Sequence, residues 1–168
     1  MKNIKISHVS LRDLQLEDSS MIFREVTEDR SFLVDDDPVR PELSYAFRTG
    51  FNRQMFMIEN EFTGDPSAVI CVAYTDQVPE TVPDLVRFPD MGDAARIAVF
   101  YTVWSYEKGA GRKIVFEAVK WIKENKPEIM RFVTLSPKTE MARKFHHSNG
   151  AITLSENEVT DNYEYRNV

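Results

Sequence analysis

The sequence predicts one domain over residues 1–168, with an α/β (α+β) fold built on a mixed, largely antiparallel central sheet that carries helices on both faces. A length of 168 residues fits a single domain. Apolar and β-branched runs recur along the chain and indicate strands. Two segments in the second half carry apolar residues at helical spacing. Because strand and helix signals are interspersed, we expect a sheet layered with helices.

The composition disfavours several classes of protein. Hydrophobic residues make up 42% of the chain and charged residues 29%, which is typical of a globular domain. A net charge of −6 argues against a nucleic-acid partner and is compatible with a cationic substrate such as an amine. No apolar run is long enough for a membrane span or a signal peptide, so we expect a cytoplasmic protein with no membrane partner. Cys71 is the single cysteine and lies in an apolar run, which predicts a buried thiol; no metal is expected.

The first half predicts a strand, two helices and a hairpin. Residues 4–9 alternate in polarity and indicate a strand. A helix is expected from residue 17, with the apolar stripe Ile22, Phe23 and Val26. Residues 35–41 contain two prolines and predict a loop, and a second helix should carry Leu43, Ala46, Phe47 and Phe51. Residues 54–61 and 68–75 predict an antiparallel hairpin, and residues 77–93 an irregular excursion.

The second half carries the stronger signals. Residues 95–106 predict a central strand, which a Gly-Ala-Gly turn follows at once. The next helix has one apolar face (Val115, Ala118, Val119 and Ile122). Residues 129–135 predict a buried strand, and residues 138–148 a second helix with Met141, Ala142 and Phe145 facing inward. Gly150 is placed to end that helix in a left-handed conformation, and strands are expected at 151–154 and 163–166.

The turn before the first of these helices is a candidate phosphate site. Gly109 and Gly111 allow close approach to the backbone, and a helix N-terminus attracts anions. Arg112 and Lys113 oppose the helix dipole unless an anion binds there. A dinucleotide-binding fingerprint fits poorly because its third glycine is missing, and a Walker loop is excluded because no Gly-Lys-Ser/Thr occurs.

These motifs resemble those of the GNAT (acyl-CoA N-acyltransferase) superfamily. Gly109 and Gly111 match the family pattern Gln/Arg-x-x-Gly-x-Gly/Ala, although Tyr106 stands where Gln or Arg is usual. In the later helix the family carries Ala, an apolar residue, Tyr and Gly at fixed spacing. The matching residues here are Ala142, Phe145 and Gly150, with His146 in place of the Tyr.

The resemblance implies an N-acetyltransferase that moves an acetyl group from acetyl-CoA to a primary amine of a small molecule or protein. The strands at 95–106 and 129–135 should then splay apart, with the pantetheine arm added along the first. The donor-binding residues implied by the resemblance are Tyr101, Thr102, Val103, Lys108, Gly109, Ala110, Gly111, Arg112, Lys113, Thr139 and Phe145.

Candidate catalytic residues follow from the same resemblance. His146 stands at the position of the acid that protonates the leaving thiolate, and an imidazolium can donate that proton. Tyr101 and Glu59 are candidates for the base, with Glu61 and Asp76 as further possibilities. The acidic run at 35–37 would favour a basic acceptor if it borders the acceptor site. The final strands could form the edge of a homodimer.

Two alternatives stay open at the level of sequence. Because Tyr106 and His146 depart from the family pattern, the domain could instead bind CoA without turnover and serve as a regulatory or interaction module. A longer acyl donor or an aminoacyl donor could also replace acetyl-CoA.

Overall fold

The computed structural model of the protein describes residues 20–87 and 95–168. The strand predicted at residues 4–9, and His8 within it, lie outside the described residues. The described part contains one mixed sheet with helices on both faces, which confirms the predicted fold class.

Eight strands of the described residues form the sheet. They are β1 Met21–Glu25, β2 Arg53–Asn60, β3 Pro66–Thr75, β4 Ile97–Ser105, β5 Arg131–Thr134, β6 Ser136–Pro137, β7 Ile152–Glu156 and β8 Thr160–Tyr165. Their spatial order is β1-β2-β3-β4-β5-β8-β6, and β7 pairs with β8. The β4–β5 pair is parallel and the other pairs are antiparallel. The predicted hairpin is therefore confirmed as β2 and β3.

Four α-helices and one 3₁₀ helix accompany the sheet in the described residues. They are the 3₁₀ helix Glu28–Asp36, α1 Tyr45–Arg48, α2 Asp84–Arg87, α3 Ala110–Asn125 and α4 Glu140–Ser148. The long helix α3 forms where an apolar stripe was predicted, and buries Ile114, Ala118 and Ile122 against one face of the sheet. The 3₁₀ helix and α2 contribute Leu33 and Leu85 to a second apolar cluster on the other face.

The helix predicted from residue 17 is wrong over residues 21–25. These residues form β1, which pairs antiparallel with β2 in the register Met21↔Asn60 to Glu25↔Phe56. The side chain of Phe23 stacks on Phe56, with ring centroids 4.9 Å apart. Over so short a segment, three apolar residues fit the period of a helix as well as that of a strand. The segment forms a strand because the edge of β2 is available for pairing.

The helix predicted across residues 41–51 shrinks to the four residues of α1. Ser44 caps it by accepting a hydrogen bond from the Phe47 amide at 3.1 Å. The backbone then turns, since Asn52 has a φ of 61°. Phe51, expected on the buried stripe, is 69% exposed.

Helix α4 confirms a prediction and corrects another. It ends before Gly150, whose φ of 96° is the expected left-handed conformation. Met141, which was expected to face inward, is 82% exposed. Phe145 packs against the apolar cluster beneath α3, as predicted.

Candidate active site: a cleft where two parallel strands separate

Strands β4 and β5 pair for only four residues and then diverge. Their register runs from Ile97↔Arg131 to Phe100↔Thr134. One further hydrogen bond joins them, from the Leu135 amide to the Phe100 carbonyl at 3.1 Å. Strand β4 continues to Ser105, so its later residues have no strand partner on this side among the described residues. The predicted splay of the two strands is therefore present.

The gap between the strands opens into a cleft of about 330 Å³. Its lining consists of Pro38, Val39, β4 residues 100–105, Gly111, residues 135–137, Thr139, Met141, Ala142, Phe145 and His146. No aspartate or glutamate is among these described lining residues. The cleft is therefore largely apolar, and its side-chain polar groups are hydroxyl groups, one imidazole and the indole N–H of Trp104.

A bulge in β4 lies at the point of separation. The pairing with β3 shifts between Cys71↔Thr102 and Val72↔Phe100, which leaves Tyr101 as the extra residue. A bulge of this kind bends the strand and re-aims its side chains, and bulges concentrate next to active sites. The Tyr101 hydroxyl is buried without a hydrogen-bond partner in the described residues. Burial raises the pKa of this phenol well above its ordinary value.

The side chain of Arg40 spans the fork between the two strands. Its Nε donates to the Tyr101 carbonyl at 3.1 Å, and its Nη2 donates to the Leu135 carbonyl at 3.0 Å. Both acceptors belong to residues that line the cleft. Pro38 and Val39, which precede Arg40 in the chain, also line it. The guanidinium therefore joins the two strands where they separate, beside residues that line the cleft.

A buried ion pair holds the loop that carries Arg40. Arg48 Nη1 donates to Asp37 Oδ2 at 2.7 Å, and both side chains are fully buried. Asp37 Oδ1 accepts from the amides of Val39 and Arg40, and Arg48 Nη2 donates to the Arg40 carbonyl. Both carboxylate oxygens of Asp37 therefore form contacts that stabilise the loop. This finding does not support a role for Asp37 in attracting an acceptor.

His146 lies in the cleft wall with one ring nitrogen engaged. Its Nδ1 is 2.7 Å from the hydroxyl oxygen of Tyr165, and its ring stacks on Tyr163. Burial, with a smaller contribution from His147, lowers the pKa of His146 from 6.5 to about 4. The imidazole is therefore neutral at pH 7, not the imidazolium that the sequence suggested. Since Tyr165 occupies Nδ1, Nε2 is the nitrogen left for a ligand.

The turn before α3 has two glycines for two different reasons. Gly109 adopts a φ of 84°, which only glycine adopts at little cost. Gly111 lies against Phe145, because a Cβ built on Gly111 would be 3.1 Å from a ring carbon of Phe145. The side chain of Arg112 donates to the Ser148 carbonyl and to Asn149 Oδ1, at the end of α4.

The predicted donor-binding residues divide into two groups. Those that line the cleft are Tyr101, Thr102, Val103, Gly111, Thr139 and Phe145. Those that form the turn and first residues of α3 are Lys108, Gly109, Ala110, Arg112 and Lys113. The two groups lie at successive positions along one path, from the cleft at β4 to the N-terminus of α3.

The candidate bases do not meet in the cleft. Glu59 is buried on β2 and pairs with Arg24 at 2.7 Å and with Arg30 at 3.2 Å, away from the cleft lining. Glu61 and Asp76 are also absent from that lining. Tyr101 is the one candidate base that lines the cleft.

Neither a cluster of potential metal ligands nor a membrane-spanning helix occurs in the described parts of the chain. No group of three or more His, Cys, Asp or Glu side chains in residues 20–87 and 95–168 could hold a metal ion. Within the same ranges, no helix has the length and apolar character needed to cross a membrane.

Comparison with solved structures identifies the fold. Malonyl-CoA decarboxylase from Agrobacterium vitis matches with a TM-score of 0.62 and 22% identity, over 76% of this chain and 36% of that protein. The N-acetyltransferase PseH from Campylobacter jejuni matches with a TM-score of 0.57 and 10% identity, over 89% of this chain and 99% of that protein. Spermidine N-acetyltransferase from Vibrio cholerae, in complex with CoA and spermine, matches with a TM-score of 0.57 and 9% identity, over 87% of this chain and 94% of that protein. The chain has the GNAT fold.

No family model and no curated protein matches the chain at the level of sequence. The GNAT fold is therefore evident from the arrangement of strands and helices, at identities too low to transfer an activity. The chain spans about a third of the length of the decarboxylase and nearly the whole length of the two acetyltransferases.

Three features of this GNAT-fold site were not predicted from sequence. They are the Arg40 bridge, the buried Asp37–Arg48 pair and the Tyr165 hydroxyl on His146. The two prolines after the acidic run predict a loop, but nothing in the sequence indicates which residues in or near that loop are buried.

Proposed function

We propose that the cleft binds a thioester of coenzyme A and that the protein acts on the acyl group of that thioester. The observation that supports this most is the open side of β4. Its residues 102–105 lack a strand partner on the cleft side within the described residues and lead directly to the N-terminus of α3. An extended arm with amide groups can complete such an edge as an added strand does.

The proposed donor site follows this path. The pantetheine arm lies along β4, the pyrophosphate lies at the amides of the first residues of α3, and the thioester lies near Tyr101 to Val103. A helix N-terminus favours an anion through its unpaired amides and dipole. The CoA complex of the spermidine N-acetyltransferase, which shares the fold, supports this choice of ligand.

The first candidate reaction is transfer of the acyl group to an amine, with acetyl-CoA as the donor. The amine must lose a proton before its nitrogen attacks the thioester carbon, and the thiolate of CoA must then be protonated as it leaves. Since the described lining contains no carboxylate, the proton from the amine would be accepted by a water molecule or by Nε2 of the neutral His146 imidazole, in the tautomer whose Nδ1 donates to Tyr165.

The second candidate is decarboxylation of a malonyl thioester. The absence of a carboxylate from the described lining favours this reaction, because it needs no amine and no base. The bond between the carboxylate carbon and C2 breaks, CO₂ leaves, and the electron pair remains on C2, conjugated with the thioester. A proton added to C2 then completes acetyl-CoA. His146 is the proposed donor through Nε2, since the neutral imidazole carries a proton there when Tyr165 donates to Nδ1. The similarity to malonyl-CoA decarboxylases from three bacteria agrees with this candidate.

One pair of assays separates the candidates. The protein is incubated with acetyl-CoA and a panel of amines, with release of CoA thiol as the readout. In parallel it is incubated with malonyl-CoA alone, with formation of acetyl-CoA as the readout. Thiol release that requires an amine supports transfer, whereas acetyl-CoA without free thiol supports decarboxylation. Tight CoA binding without turnover in either assay would instead support a binding or regulatory module.

A variant and a control make the assays specific to the cleft. His146→Gln should abolish decarboxylation or strongly reduce transfer, because it removes the imidazole from the cleft wall. Lys120→Met, on the exposed side of α3, should leave both rates unchanged. A well-folded parent protein that binds no CoA thioester would contradict the whole proposal.

A further inference from the structure

The cleft residue His146 belongs to a line of polar contacts that continues away from the cleft. Its Nδ1 lies 2.7 Å from the hydroxyl oxygen of Tyr165. Asn149 follows His146 by three positions at the end of α4, a spacing that places two side chains on the same side of a helix. Arg112, in the first turn of α3, donates to Asn149 Oδ1 at 3.3 Å. Side chains from α3, the end of α4 and β8 thus form one polar group around the imidazole.

Arg112 fixes the orientation of the Asn149 amide. An asparagine amide has one accepting oxygen and one donating nitrogen, whereas a guanidinium can only donate. The contact with Arg112 therefore requires the oxygen of Asn149 on that side, so Nδ2 lies on the other. Arg112 also donates to the Ser148 carbonyl and lies over the Phe116 ring, 5.0 Å from its centroid. These contacts hold the guanidinium, and the oxygen and nitrogen of the amide cannot exchange places.

The Tyr165 hydroxyl is the acceptor available to Asn149 Nδ2. This nitrogen is buried, and no acceptor in the described residues meets the full geometry of a hydrogen bond to it. Burial raises the pKa of Tyr165 to about 12, while hydrogen bonding from the Asn149 side chain acts in the opposite direction, as a donor near the phenol oxygen does. The Phe116 ring, which lies under Arg112, also meets the Tyr165 ring edge-on at 6.1 Å. A small movement of the amide completes its bond to Tyr165.

The direction of the hydrogen bond between Tyr165 and His146 follows from this arrangement. A hydroxyl group has one proton to donate. Asn149 Nδ2 is a donor and cannot accept that proton, so the hydroxyl donates to its other neighbour, Nδ1 of His146. Burial lowers the pKa of His146 to about 4, so the ring is neutral at pH 7. A neutral imidazole with an accepting Nδ1 carries its proton on Nε2.

We infer that Asn149, oriented by Arg112, is a positioning residue that keeps the proton of the neutral His146 ring on Nε2. His146 then offers an N–H donor to a ligand in the cleft that it lines, and its Nε2 cannot accept a proton from an amine. The tautomer does not depend on the proposed function, whereas its consequence for the reaction rests on it. That consequence favours His146 as a proton donor and leaves water to accept the proton of an amine.

Nuclear magnetic resonance of protein labelled with ¹⁵N at its histidines reads the tautomer directly, because protonated and unprotonated ring nitrogens differ in chemical shift. The parent protein is measured without ligand at pH 8, and the His146 signals are assigned by their loss in His146→Gln. We expect the Nε2–H form to exceed the Nδ1–H form at least about fivefold, as one net hydrogen bond provides.

Asn149→Asp should reverse the tautomer. One carboxylate oxygen keeps the contact with Arg112 and the other accepts from the Tyr165 hydroxyl, whose oxygen then accepts from Nδ1–H of His146. Asn149→Leu, of similar size, removes the donor and should bring the two forms to within about twofold of each other. It also decides the question if Asn149→Asp does not fold. Asn125→Asp, at the exposed end of α3, is the matched control and should leave the His146 signals as in the parent.

The outcomes separate this inference from the proposed function. An excess of the Nδ1–H form in the parent would overturn the inference. An excess of the Nε2–H form that Asn149→Asp and Asn149→Leu both leave unchanged would overturn it too, because the tautomer would not depend on the amide. If the parent decarboxylates malonyl-CoA, Asn149→Asp should lower kcat about tenfold with little change in KM. A parent without turnover would count against the proposed function and leave the tautomer result standing.

Discussion

The Nδ1 atom of His146 lies 2.7 Å from the hydroxyl oxygen of Tyr165, on the last strand of the sheet. Burial raises the pKa of Tyr165 to about 12, so the phenol stays protonated and can donate to Nδ1. This contact positions the imidazole, and when Tyr165 donates, the proton of the neutral ring is on Nε2.

Tyr165→Phe should therefore impair turnover more than binding. The ring contacts of Tyr165 with Phe100 and Phe116 are kept, and only the hydroxyl is lost. We expect kcat to fall about tenfold, a part of the ~10²–10⁴-fold typical of acid–base catalysis, with little change in KM. Steady-state kinetics measures both. Tyr163→Phe is the matched control, because it removes a hydroxyl that makes no bond to His146; an equal effect of the two variants would contradict the positioning role.

Acid should destabilise the protein through His146. The pKa of this imidazole is about 4 in the folded protein, against 6.5 ordinarily. Between these values the unfolded chain binds a proton that the folded chain does not, so the free energy of unfolding falls as the pH decreases from 6.5 to 4. The difference corresponds to about 3 kcal/mol. Urea unfolding at several pH values measures it. His146→Gln should flatten this dependence and His147→Gln should not; identical slopes in the parent and both variants would refute the assignment.

The ion pair of Asp37 and Arg48 should be sensitive to loss of either charge. Asp37→Asn leaves a fully buried guanidinium without its counter-ion, which we expect to cost about 3–5 kcal/mol of unfolding free energy. Chemical denaturation gives the value. Asp35→Asn, in the same acidic run but exposed, should change stability by less than about 0.5 kcal/mol. A cost below about 1 kcal/mol for Asp37→Asn would mean that the pair does not organise the loop.

The two glycines of the turn should respond differently to alanine. Gly109→Ala should cost about 1–2 kcal/mol of stability, because its φ of 84° is strained for any side chain. Gly111→Ala should mainly displace the Phe145 ring into the cleft and weaken CoA binding several-fold. Thermal unfolding and calorimetric titration with CoA separate the two effects. If Gly111→Ala bound CoA as tightly as the parent, the path of the donor past Phe145 would be excluded.

Glu59→Gln should affect stability and spare the reaction. Glu59 bonds to Arg24 and Arg30, so its neutralisation should cost about 2 kcal/mol, as for other hydrogen bonds to charged groups. The rate should stay within twofold of the parent after correction for folded protein. The exposed Glu61→Gln is the control for both measurements. A fall in kcat of more than tenfold at unchanged CoA affinity would instead support Glu59 as the base.

The second half of the fold could be predicted from the sequence because its signals are local and redundant. Helix α3 has a full apolar face and a glycine before it, and β4 is a long apolar run. The first half could not, because β1 is five residues long and its pattern fits a helix as well as a strand. Pairing with β2, more than thirty residues later, decides between them.

The candidate site shows the same division. Glycines and His146 stand at fixed spacings that sequence can reveal. Arg40 acquires its place through acceptors 61 and 95 residues away, and Tyr165 meets His146 across 19 residues. Such contacts depend on the register of the assembled sheet, and a single sequence carries no local sign of them.

The unpaired stretch of β4 has a consequence for the protein's behaviour at high concentration. An open strand edge on the outside of a molecule invites another chain to add to it and aggregate. Here the open edge lies inside a cleft, between the loop at Pro38 and Val39 and the helix residues Ala142 and Phe145. The fold thus places the unpaired amides and carbonyls of β4 in a cleft, where a small ligand can complete their hydrogen bonds, and not along an outer edge of the sheet.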